Sequence, residues 1–306
     1  MDTTQNILII KINASGDVIR TTVLLHMLKG NVYWITAGYN IPLFPDHYPG
    51  LILVPVESIP AEMLSINFDL VINLEEDPGL AQALSSIQTK KLVGVYWNNG
   101  TLDYSADSAG LFDMSLVSKL SRSHANELKK MNTQSYQEII CRMVGKTFSG
   151  EPYIIYQNKF LNTKKPHLIG IEERVGSRWP NKYWNGYATL KERLSRENFD
   201  VMVFEQRSRL REYMEDIQQC RLVITGDTLA MHIALGYGIP CVAIFNCTSP
   251  HEIFDYGILD KIVSPMLRKF FYNTEFNNEA TEAIPLTGIL NSVYIHLNGA
   301  VPPLLK

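Results

Sequence analysis

Apolar residues fall in short, nearly continuous runs that are separated by polar turns and by segments with helical spacing. The first run covers residues 7–12 and includes one charged residue, Lys11. A run of this length is typical of a strand buried on both faces of a parallel sheet. The polar turn Asn13-Ala14-Ser15-Gly16 follows, and residues 17–29 carry apolar positions at helical spacing. The chain therefore opens with a predicted strand, turn and helix.

Further apolar runs continue this alternation through the first half. We predict strands at residues 32–36, 51–54, 70–74 and 92–96, and helices at residues 78–87 and 135–144. Residues 97–132 mix polar and scattered apolar positions, which predicts a long loop region with a short helix or two. Strands that alternate with helices indicate a doubly wound parallel sheet.

The second half repeats the alternation more clearly. We predict strands at residues 167–171, 200–204, 222–225 and 241–245, and helices at residues 183–196, 209–219 and 229–237. Between the halves, the glycines and prolines of residues 145–166 predict a boundary, which gives domains 1–155 and 156–306. A helix at residues 279–297 is predicted to cross back to the first domain.

The predicted fold class is α/β, with two Rossmann-like, doubly wound parallel sheets that face a central cleft. The length of 306 residues exceeds what one hydrophobic core usually organises, which agrees with two domains. Open α/β sheets bind ligands outside the carboxyl ends of their strands, so this cleft is the expected site. The formal charge of -3 gives no general attraction to nucleic acid.

Several other classes of protein are disfavoured by the sequence. The amino terminus lacks a basic region and no apolar stretch is long enough to span a membrane, so we expect a cytoplasmic protein. The cysteines have no CxxC spacing, the histidines have no HxxxH spacing, and Glu75-Glu76-Asp77 has no histidine nearby. We therefore expect neither a disulfide framework nor a catalytic metal. The absence of GxGxxG after the first strand and of GxSxG disfavours dehydrogenases and α/β-hydrolases.

Three segments, each after a predicted strand, carry the candidate chemistry. The first contains Asn13, Ser15, Gly16 and Asp17, in which Gly16 permits a tight turn and Asp17 stands at the start of a helix. Taken alone, Asp17 is explained more simply as a residue that caps this helix.

The second segment is Gly-Ser-Arg-Trp-Pro-Asn-Lys-Tyr-Trp at residues 176–184. Its cations, Arg178 and Lys182, lie in a loop between a strand and a helix, where an anion also meets helix-terminal amides. The alternative is a surface loop whose tryptophans pack against the core, which is the role we expect for Trp184.

The third segment is Thr-Gly-Asp-Thr-Leu-Ala-Met-His at residues 225–232. A strand that ends in Gly-Asp-Thr and passes directly into a helix directs backbone amides and a hydroxyl group towards the ligand, which suits a diphosphate. His232 falls one helical turn beyond Thr228, on the same face. A single helical histidine is more often structural, but this one shares its face with the expected anion site.

The ordered set NASGDVIR, GSRWPNKYW and GDTLAMHIALGYGIP, with TSP shortly after, resembles the ADP-heptose:lipopolysaccharide heptosyltransferase family. The resemblance covers most of the chain and is strongest at residues 167–257. It implies a GT-B fold that holds the acceptor mainly in the first domain and the nucleotide sugar in the second. It also implies inverting, metal-free transfer of a sugar, expected to be heptose from ADP-heptose, to a hydroxyl group of a glycan or glycolipid.

The resemblance also implies roles for individual residues. Asp17 matches the general base, and Asn13, Ser15 and Gly16 lie on the acceptor side. Asp227, Thr228 and His232 match residues that hold the diphosphate and sugar of the donor, and Glu205 is a candidate for the ribose hydroxyls. The full expected donor-binding set is Ser177, Arg178, Trp179, Lys182, Glu205, Asp227, Thr228, Leu229 and His232. No cofactor beyond the nucleotide-sugar co-substrate is expected, and a glycolipid acceptor implies peripheral association with the inner membrane.

This chain departs from the family pattern at three places. Ser177 replaces a lysine, so the phosphate charge must be met by Arg178 or Lys182. Leu229 replaces a glycine that lets the backbone approach phosphate closely, and Asn246-Cys247-Thr248 replaces Gly-Pro-Thr. Two alternatives therefore stay open, a nucleotide-sugar enzyme that does not transfer, such as an epimerase, and a non-catalytic relative that binds nucleotide sugar.

Overall fold

The chain forms two compact units, which meet in sequence between Tyr156 and Gln157. The structure is a computed structural model, and it describes residues 4–111, 119, 121–161, 165 and 167–298. The first unit, Met1–Tyr156, extends one residue beyond the predicted first domain, 1–155.

The first unit contains one six-stranded sheet. Its strands are β1 (Asn6–Ile10), β2 (Asn31–Thr36), β3 (Leu51–Pro55), β4 (Leu70–Asn73), β5 (Leu92–Asn98) and β6 (Thr101–Tyr104). Its α-helices are α1 (Ser15–Thr21), α2 (Pro78–Ala83), α3 (Arg122–Lys129) and α4 (Tyr136–Met143). Short 3-10 helices lie at Thr22–His26, Gly38–Leu43, Val56–Ser58, Ala61–Ser65, Leu84–Ser86 and Ala106–Gly110.

The strand order of this sheet is β3-β2-β1-β4-β5-β6, and β1 to β5 run parallel. The strand β1 lies near the middle, and its residues 7–10 are all buried, as the continuous apolar run predicts. The order reverses between β1 and β4, and ligands of open α/β sheets bind at such a reversal, outside the carboxyl ends of the strands.

The edge of this sheet corrects the prediction for residues 97–132. Instead of a long loop, β5 continues to Asn98 and turns through Asn99-Gly100 into β6, which runs antiparallel to it. Asn99 has a φ of 48° and Gly100 a φ of 93°, so both turn residues adopt the left-handed conformation of a two-residue hairpin. The 3-10 helix at Ala106–Gly110 and the helix α3 agree with the predicted short helix or two, and residues 112–118 and 120 lie outside the described residues.

The second unit contains one five-stranded sheet. Its strands are β7 (Leu168–Glu172), β8 (Asp200–Val203), β9 (Leu222–Gly226), β10 (Cys241–Phe245) and β11 (Leu259–Val263). Its α-helices are α5 (Tyr187–Arg196), α6 (Leu210–Gln218), α7 (Leu229–Gly236), α8 (Asn278–Glu282) and α9 (Leu286–Asn298), and a 3-10 helix covers Pro180–Lys182.

All five strands are parallel, in the order β11-β10-β9-β7-β8. The strands β7, β9 and β10 are buried along their whole length, which explains why their sequences are almost purely apolar. The strand β11 was not predicted, because Asp260 and Lys261 interrupt its apolar pattern at the edge of the sheet. The order reverses between β7 and β9, which makes their carboxyl ends the expected ligand position.

The predicted helix at residues 279–297 consists of two helices, α8 and α9. Ile289, Val293 and Tyr294 of α9 pack into the core of their own unit, together with Trp184. A return of this segment to the first domain stays a prediction. Among the described residues, no helix combines the length and the apolar character that a membrane crossing requires.

Candidate functional site

Asp17 belongs to a charged network at the carboxyl end of β1. Its Oδ1 lies 2.8 Å from a guanidinium nitrogen of Arg20, and its Oδ2 lies 3.9 Å from Nζ of Lys11. Lys11 is 2% exposed and lies 3.0 Å from Oε1 of Glu75, which follows β4. Because β1 and β4 are the strands at which the sheet order reverses, these charges occupy the expected ligand position of the first unit.

Asp17 is not the N-cap residue of α1, although it is an acidic residue in the first turn, where the helix dipole favours a negative charge. The N-cap position of α1 is Ala14, whose methyl side chain cannot accept a hydrogen bond. Asp17 lies inside the first turn and pairs with Lys11 and Arg20 instead. Its side chain is 32% exposed, so a ligand can reach the carboxylate.

The charges around Lys11 determine its protonation. Burial favours the neutral amine, but the neighbouring Asp17, Tyr136 and Glu75 together outweigh it and raise the pKa of Lys11 above its usual value. Lys11 is therefore an ammonium ion at neutral pH. Arg20 lies 4.0 Å from the centre of the Tyr136 ring, which connects α1 to α4.

The expected acceptor-side residues lie in the turn between β1 and α1. Ser15 donates a hydrogen bond of 2.7 Å to Oδ1 of Asn40, and Nδ2 of Asn40 donates to the carbonyl of Ile12. The hydroxyl of Tyr39 donates to Oδ1 of Asn13. Gly16 lies in α1 itself rather than in the turn before it. The turn is thus anchored by the segment after β2.

Asp227 is the centre of a second network, at the carboxyl end of β9. Its Oδ2 lies 2.8 Å from Nζ of Lys182 and accepts a hydrogen bond of 2.8 Å from Oγ1 of Thr248. Nζ of Lys182 also donates to the main-chain carbonyl of Asp227 at 2.7 Å. An ammonium group has three protons, so these two contacts leave one that is able to meet a ligand.

These partners keep Asp227 ionised. Its side chain is 15% exposed, and burial alone would raise its pKa, but Lys182, His232 and the bond from Thr248 reverse this effect and lower the pKa of Asp227. The hydrogen bond from Lys182 to the Asp227 carbonyl places Lys182 beside the Gly-Asp-Thr segment, as expected for a shared donor site, although the two residues are 45 positions apart in sequence.

Thr228 and His232 occupy the positions predicted for the helix α7. Thr228 is the N-cap residue, and its hydroxyl lies 2.8 Å from the hydroxyl of Thr225. Leu229 begins the helix and is half-buried, whereas His232 is 5% exposed. The Thr228 side chain accepts no hydrogen bond from the first turn of α7, and the first amide groups of this helix are directed at the carboxyl end of β9.

The 176–184 segment separates into exposed and buried parts. Ser177 and Arg178 are exposed, and the Arg178 guanidinium lies 5.3 Å from the centre of the Trp179 ring. Trp179 contacts Tyr272 edge to face. Trp184 is 2% exposed and donates to the carbonyl of Ile284, so it packs in the core as expected.

Glu205 lies at the carboxyl end of β8, and β7 separates β8 from the strand β9 that precedes Asp227. It is exposed and follows Phe204, beyond the end of β8. Its role at the ribose stays a prediction.

Sequence reasoning missed a third cluster, at the carboxyl end of β7. Glu172 is buried, and its carboxylate accepts two hydrogen bonds from the Arg174 guanidinium, at 2.8 and 2.6 Å, and one from the Tyr213 hydroxyl at 2.6 Å. Glu172 pairs in register with Thr225 of β9. The available signal was an acidic residue at the end of an otherwise apolar strand, followed two positions later by an arginine.

The described residues contain no group of three or more His, Cys, Asp or Glu side chains that could hold a metal ion. All four cysteines are free and buried. Metal independence itself stays a prediction.

One part of the second unit has a recognisable family sequence. Residues 206–270 match the family model of glycosyltransferase family 9 (heptosyltransferase). This range includes Asp227, Thr228 and His232 but neither Asp17 nor Lys182. No curated protein sequence matches the chain significantly.

Solved structures of glycosyltransferases are similar to most of the chain. A glycosyltransferase family 9 protein from Veillonella parvula is 14% identical, with a TM-score of 0.63 over 97% of this chain and 98% of that one. E. coli ADP-heptose lipopolysaccharide heptosyltransferase II is 15% identical, with a TM-score of 0.55 over 85% of this chain and 90% of that one. E. coli heptosyltransferase WaaC with ADP-2-deoxy-2-fluoro heptose is 12% identical, with a TM-score of 0.52 over 88% and 97%.

These similarities support the predicted glycosyltransferase activity. The predicted α/β GT-B fold is confirmed, and the resemblance to the heptosyltransferase family is confirmed in sequence at residues 206–270 and in fold over most of the chain.

Proposed function

We propose that the chain is an inverting, metal-independent glycosyltransferase that moves a sugar from ADP-heptose to a hydroxyl group of a glycan or glycolipid. The observation that carries this proposal is the Asp227, Lys182 and Thr248 network beside the start of α7. Two of these residues, Asp227 and Thr248, lie within the range that matches family 9. The choice of ADP-heptose is supported by the similar WaaC structure, which contains a fluorinated ADP-heptose.

The donor diphosphate is proposed to bind where α7 begins. The amide groups of the first helical turn and the positive end of the helix dipole favour an anion there. The remaining proton of Lys182 and the Thr228 hydroxyl add donors on the same side. Asp227 accepts hydrogen bonds and is ionised, so we assign it to the sugar hydroxyls rather than to the phosphates.

The transfer step is a single displacement at the anomeric carbon. Asp17 takes the proton of the acceptor hydroxyl while the acceptor oxygen forms a bond to that carbon. The bond between the anomeric carbon and the diphosphate oxygen breaks, and the nucleoside diphosphate leaves with the electron pair. Lys182 and the amides of α7 stabilise the charge that develops on this leaving group. Attack from the face opposite to the leaving group inverts the configuration.

Donor binding tests the first half of the proposal. We expect ADP-heptose to raise the unfolding temperature of the full chain more than GDP-, UDP- or CDP-sugars do, because a ligand that binds only the folded state stabilises it. A larger shift with another nucleotide would contradict the choice of ADP. No shift with any nucleotide sugar would contradict the proposed donor site.

Replacement of the base tests the second half. Asp17→Asn keeps the shape of the side chain and removes the base, so turnover should fall by a factor of about 100 or more while donor binding is retained. Asp77→Asn is the matched control, because Asp77 caps α2 through a 2.6 Å bond from the Leu80 amide and asparagine caps equally well. Normal turnover by Asp17→Asn would refute the assignment. Donor conversion that needs no acceptor in the wild type would favour an epimerase-like enzyme, and donor binding without any conversion would favour a non-catalytic relative.

A further inference from the structure

The first unit contains a cavity of about 180 Å³ between its sheet and the segment that includes α2. Strand residues form one wall, and residues of α2 and of the following 3-10 helix form the other. The wall is largely aliphatic and includes Ile10, Val71, Leu92, Val95, Leu84 and Ile87. Ile10, Val71 and Val95 are almost fully buried and form the apolar base of the cavity.

The small polar side chains of the lining are already bonded to the main chain. Nδ2 of Asn73 donates to the carbonyl of Val95 at 3.0 Å, and Oδ1 of Asn73 accepts from the amide of Glu75 at 3.1 Å. The hydroxyl groups of Ser85 and Thr89 donate to carbonyls at 2.6 and 2.8 Å. These donors are therefore engaged, and apolar atoms form the larger part of the surface that an occupant contacts.

The cavity adjoins the charged network that contains Asp17. Oδ1 of Asn73, in the lining, accepts from the main-chain amide of Glu75, and Oε1 of Glu75 accepts from Nζ of Lys11. Tyr96 and Trp97 extend the wall past the register position at which β4 ends. They extend it towards the edge of the sheet formed by the carboxyl ends of its parallel strands, where that network lies. The cavity therefore extends to the edge of the sheet at which Asp17 lies.

We propose that this cavity binds an apolar group of the acceptor, either aryl or alkyl, that is attached close to the reacting sugar. A cavity of about 150 Å³ is able to hold benzene, so this volume fits about six or seven carbon atoms. The existence of the site depends on the cavity alone. Its assignment to the acceptor rests on the proposed function.

The test compares ligands that share one sugar and differ in the apolar group. Phenyl and hexyl β-D-glucoside are titrated calorimetrically into the full chain, with methyl β-D-glucoside as the control. We expect the phenyl or the hexyl compound to bind at least tenfold more tightly than the methyl compound, with a negative heat-capacity change, because apolar surface is buried. Equal affinities of all three compounds would overturn the proposal.

Two alanines of α2 provide a matched pair of variants. Ala81 is 4% exposed and lines the cavity, whereas Ala83, on the same helix, is exposed and does not. Ala81→Leu fills the space and should abolish the preference for the phenyl or hexyl compound, and Ala83→Leu should keep it. Retention of the preference by a folded Ala81→Leu would place binding elsewhere and overturn the proposal.

A spectroscopic measurement on the wild type does not depend on whether these variants fold. In methyl-labelled protein, the bound phenyl glucoside should shift the methyl resonances of Ile10, Ile87 and Val95, because all three line the cavity. Shifts confined to other methyl groups would overturn the site. Free toluene that shifts these resonances while neither glucoside does so would overturn the link to the acceptor.

These outcomes are separate from those of the Asp17→Asn test, since they require no turnover. A glucoside preference together with full activity of Asp17→Asn would refute the proposed base and leave the cavity as a binding site. The reverse combination would refute the cavity and leave the base.

Discussion

Replacement of Glu75 by alanine should destabilise the first unit by about 3 kcal/mol. A single carboxylate oxygen, Oε1, accepts from Nζ of Lys11 at 3.0 Å and from the amides of Ile12 and Asn13 at 2.6 and 3.1 Å. Removal of one partner of a buried ion pair costs about 3–5 kcal/mol. The low end applies here, because Glu75 is 16% exposed and Lys11 keeps Asp17 at 3.9 Å.

The measurement must distinguish the two units, because a chain with two units need not unfold in one step. Hydrogen exchange in increasing urea, followed by mass spectrometry of peptides, gives the opening free energy of each unit. Peptides of the β1 sheet should show the full loss in Glu75→Ala, and peptides of the β9 sheet should show none. Glu62→Ala is the control, since Glu62 is exposed and lies in the same unit.

A second variant separates the charge from the hydrogen bonds. Glu75→Gln keeps an oxygen that accepts from Ile12 and Asn13 but removes the negative charge beside Lys11, so it should lose about half of the stability that Glu75→Ala loses. If Glu75→Ala lowers the free energy of unfolding by less than about 1 kcal/mol, the charge of Lys11 is stabilised without Glu75. That result would refute the stabilising role assigned here to Glu75 in the network around Asp17.

Three further predictions concern protonation, backbone conformation and the cysteines. The pKa of Asp227 is lowered in the folded chain, so its charge stabilises the fold above the unfolded pKa of about 4, and this stability is lost as the pH falls through the lower folded pKa. The free energy of unfolding of Asp227→Asn, measured in urea, should therefore be lower than that of the wild type by roughly 2 kcal/mol at pH 7, and the two values should converge in acid. Gly94→Ala should lower the free energy of unfolding, measured by thermal unfolding, by roughly 3 kcal/mol or more, because Gly94 has a φ of 100° and a Cβ would lie 2.0 Å from the carbonyl oxygen of Asn73. Gly100→Ala, at a φ of 93° with open space around it, should lower it by about 1 kcal/mol. Equal losses for the two variants would contradict this packing. Burial raises the pKa of Cys141, Cys220 and Cys247 to about 12 and also raises the pKa of Cys241, so none should react with Ellman's reagent in the native chain at pH 8 and all four should react in urea; a fast native reaction would show an exposed thiol.

The strands that carry the site were predictable from sequence because both faces of each are buried. Residues 241–245 were predicted as a strand and form β10, and the apolar runs that precede Asp17 and Asp227 form β1 and β9. The edge strands β6 and β11 were missed, since one side of an edge strand contacts solvent and tolerates residues such as Asp260. The turn Asn99-Gly100 was nevertheless a usable hairpin signal.

The contacts between charged residues were less predictable than the strands. Sequence motifs identified Asp17 and Asp227, yet Glu75 was considered only as a metal ligand and set aside. Its link to Lys11 spans 64 positions and exists because β1 and β4 are neighbours in the sheet. Strand order is decided by packing of the whole unit, so a single sequence without this order does not reveal which charges at the strand ends will meet.

The two networks have the same arrangement of charges. In each, a lysine that follows an apolar strand pairs with an aspartate of a candidate sequence motif. Lys11 pairs with Asp17 and Glu75 in the first unit, and Lys182 pairs with Asp227 in the second. Under the proposed function, a diphosphate near Asp227 meets a lysine whose charge is already balanced, so the additional positive charge must come from elsewhere. The helix start of α7 supplies part of it. We therefore propose that the exposed guanidinium of Arg178, next to Ser177, supplies the rest.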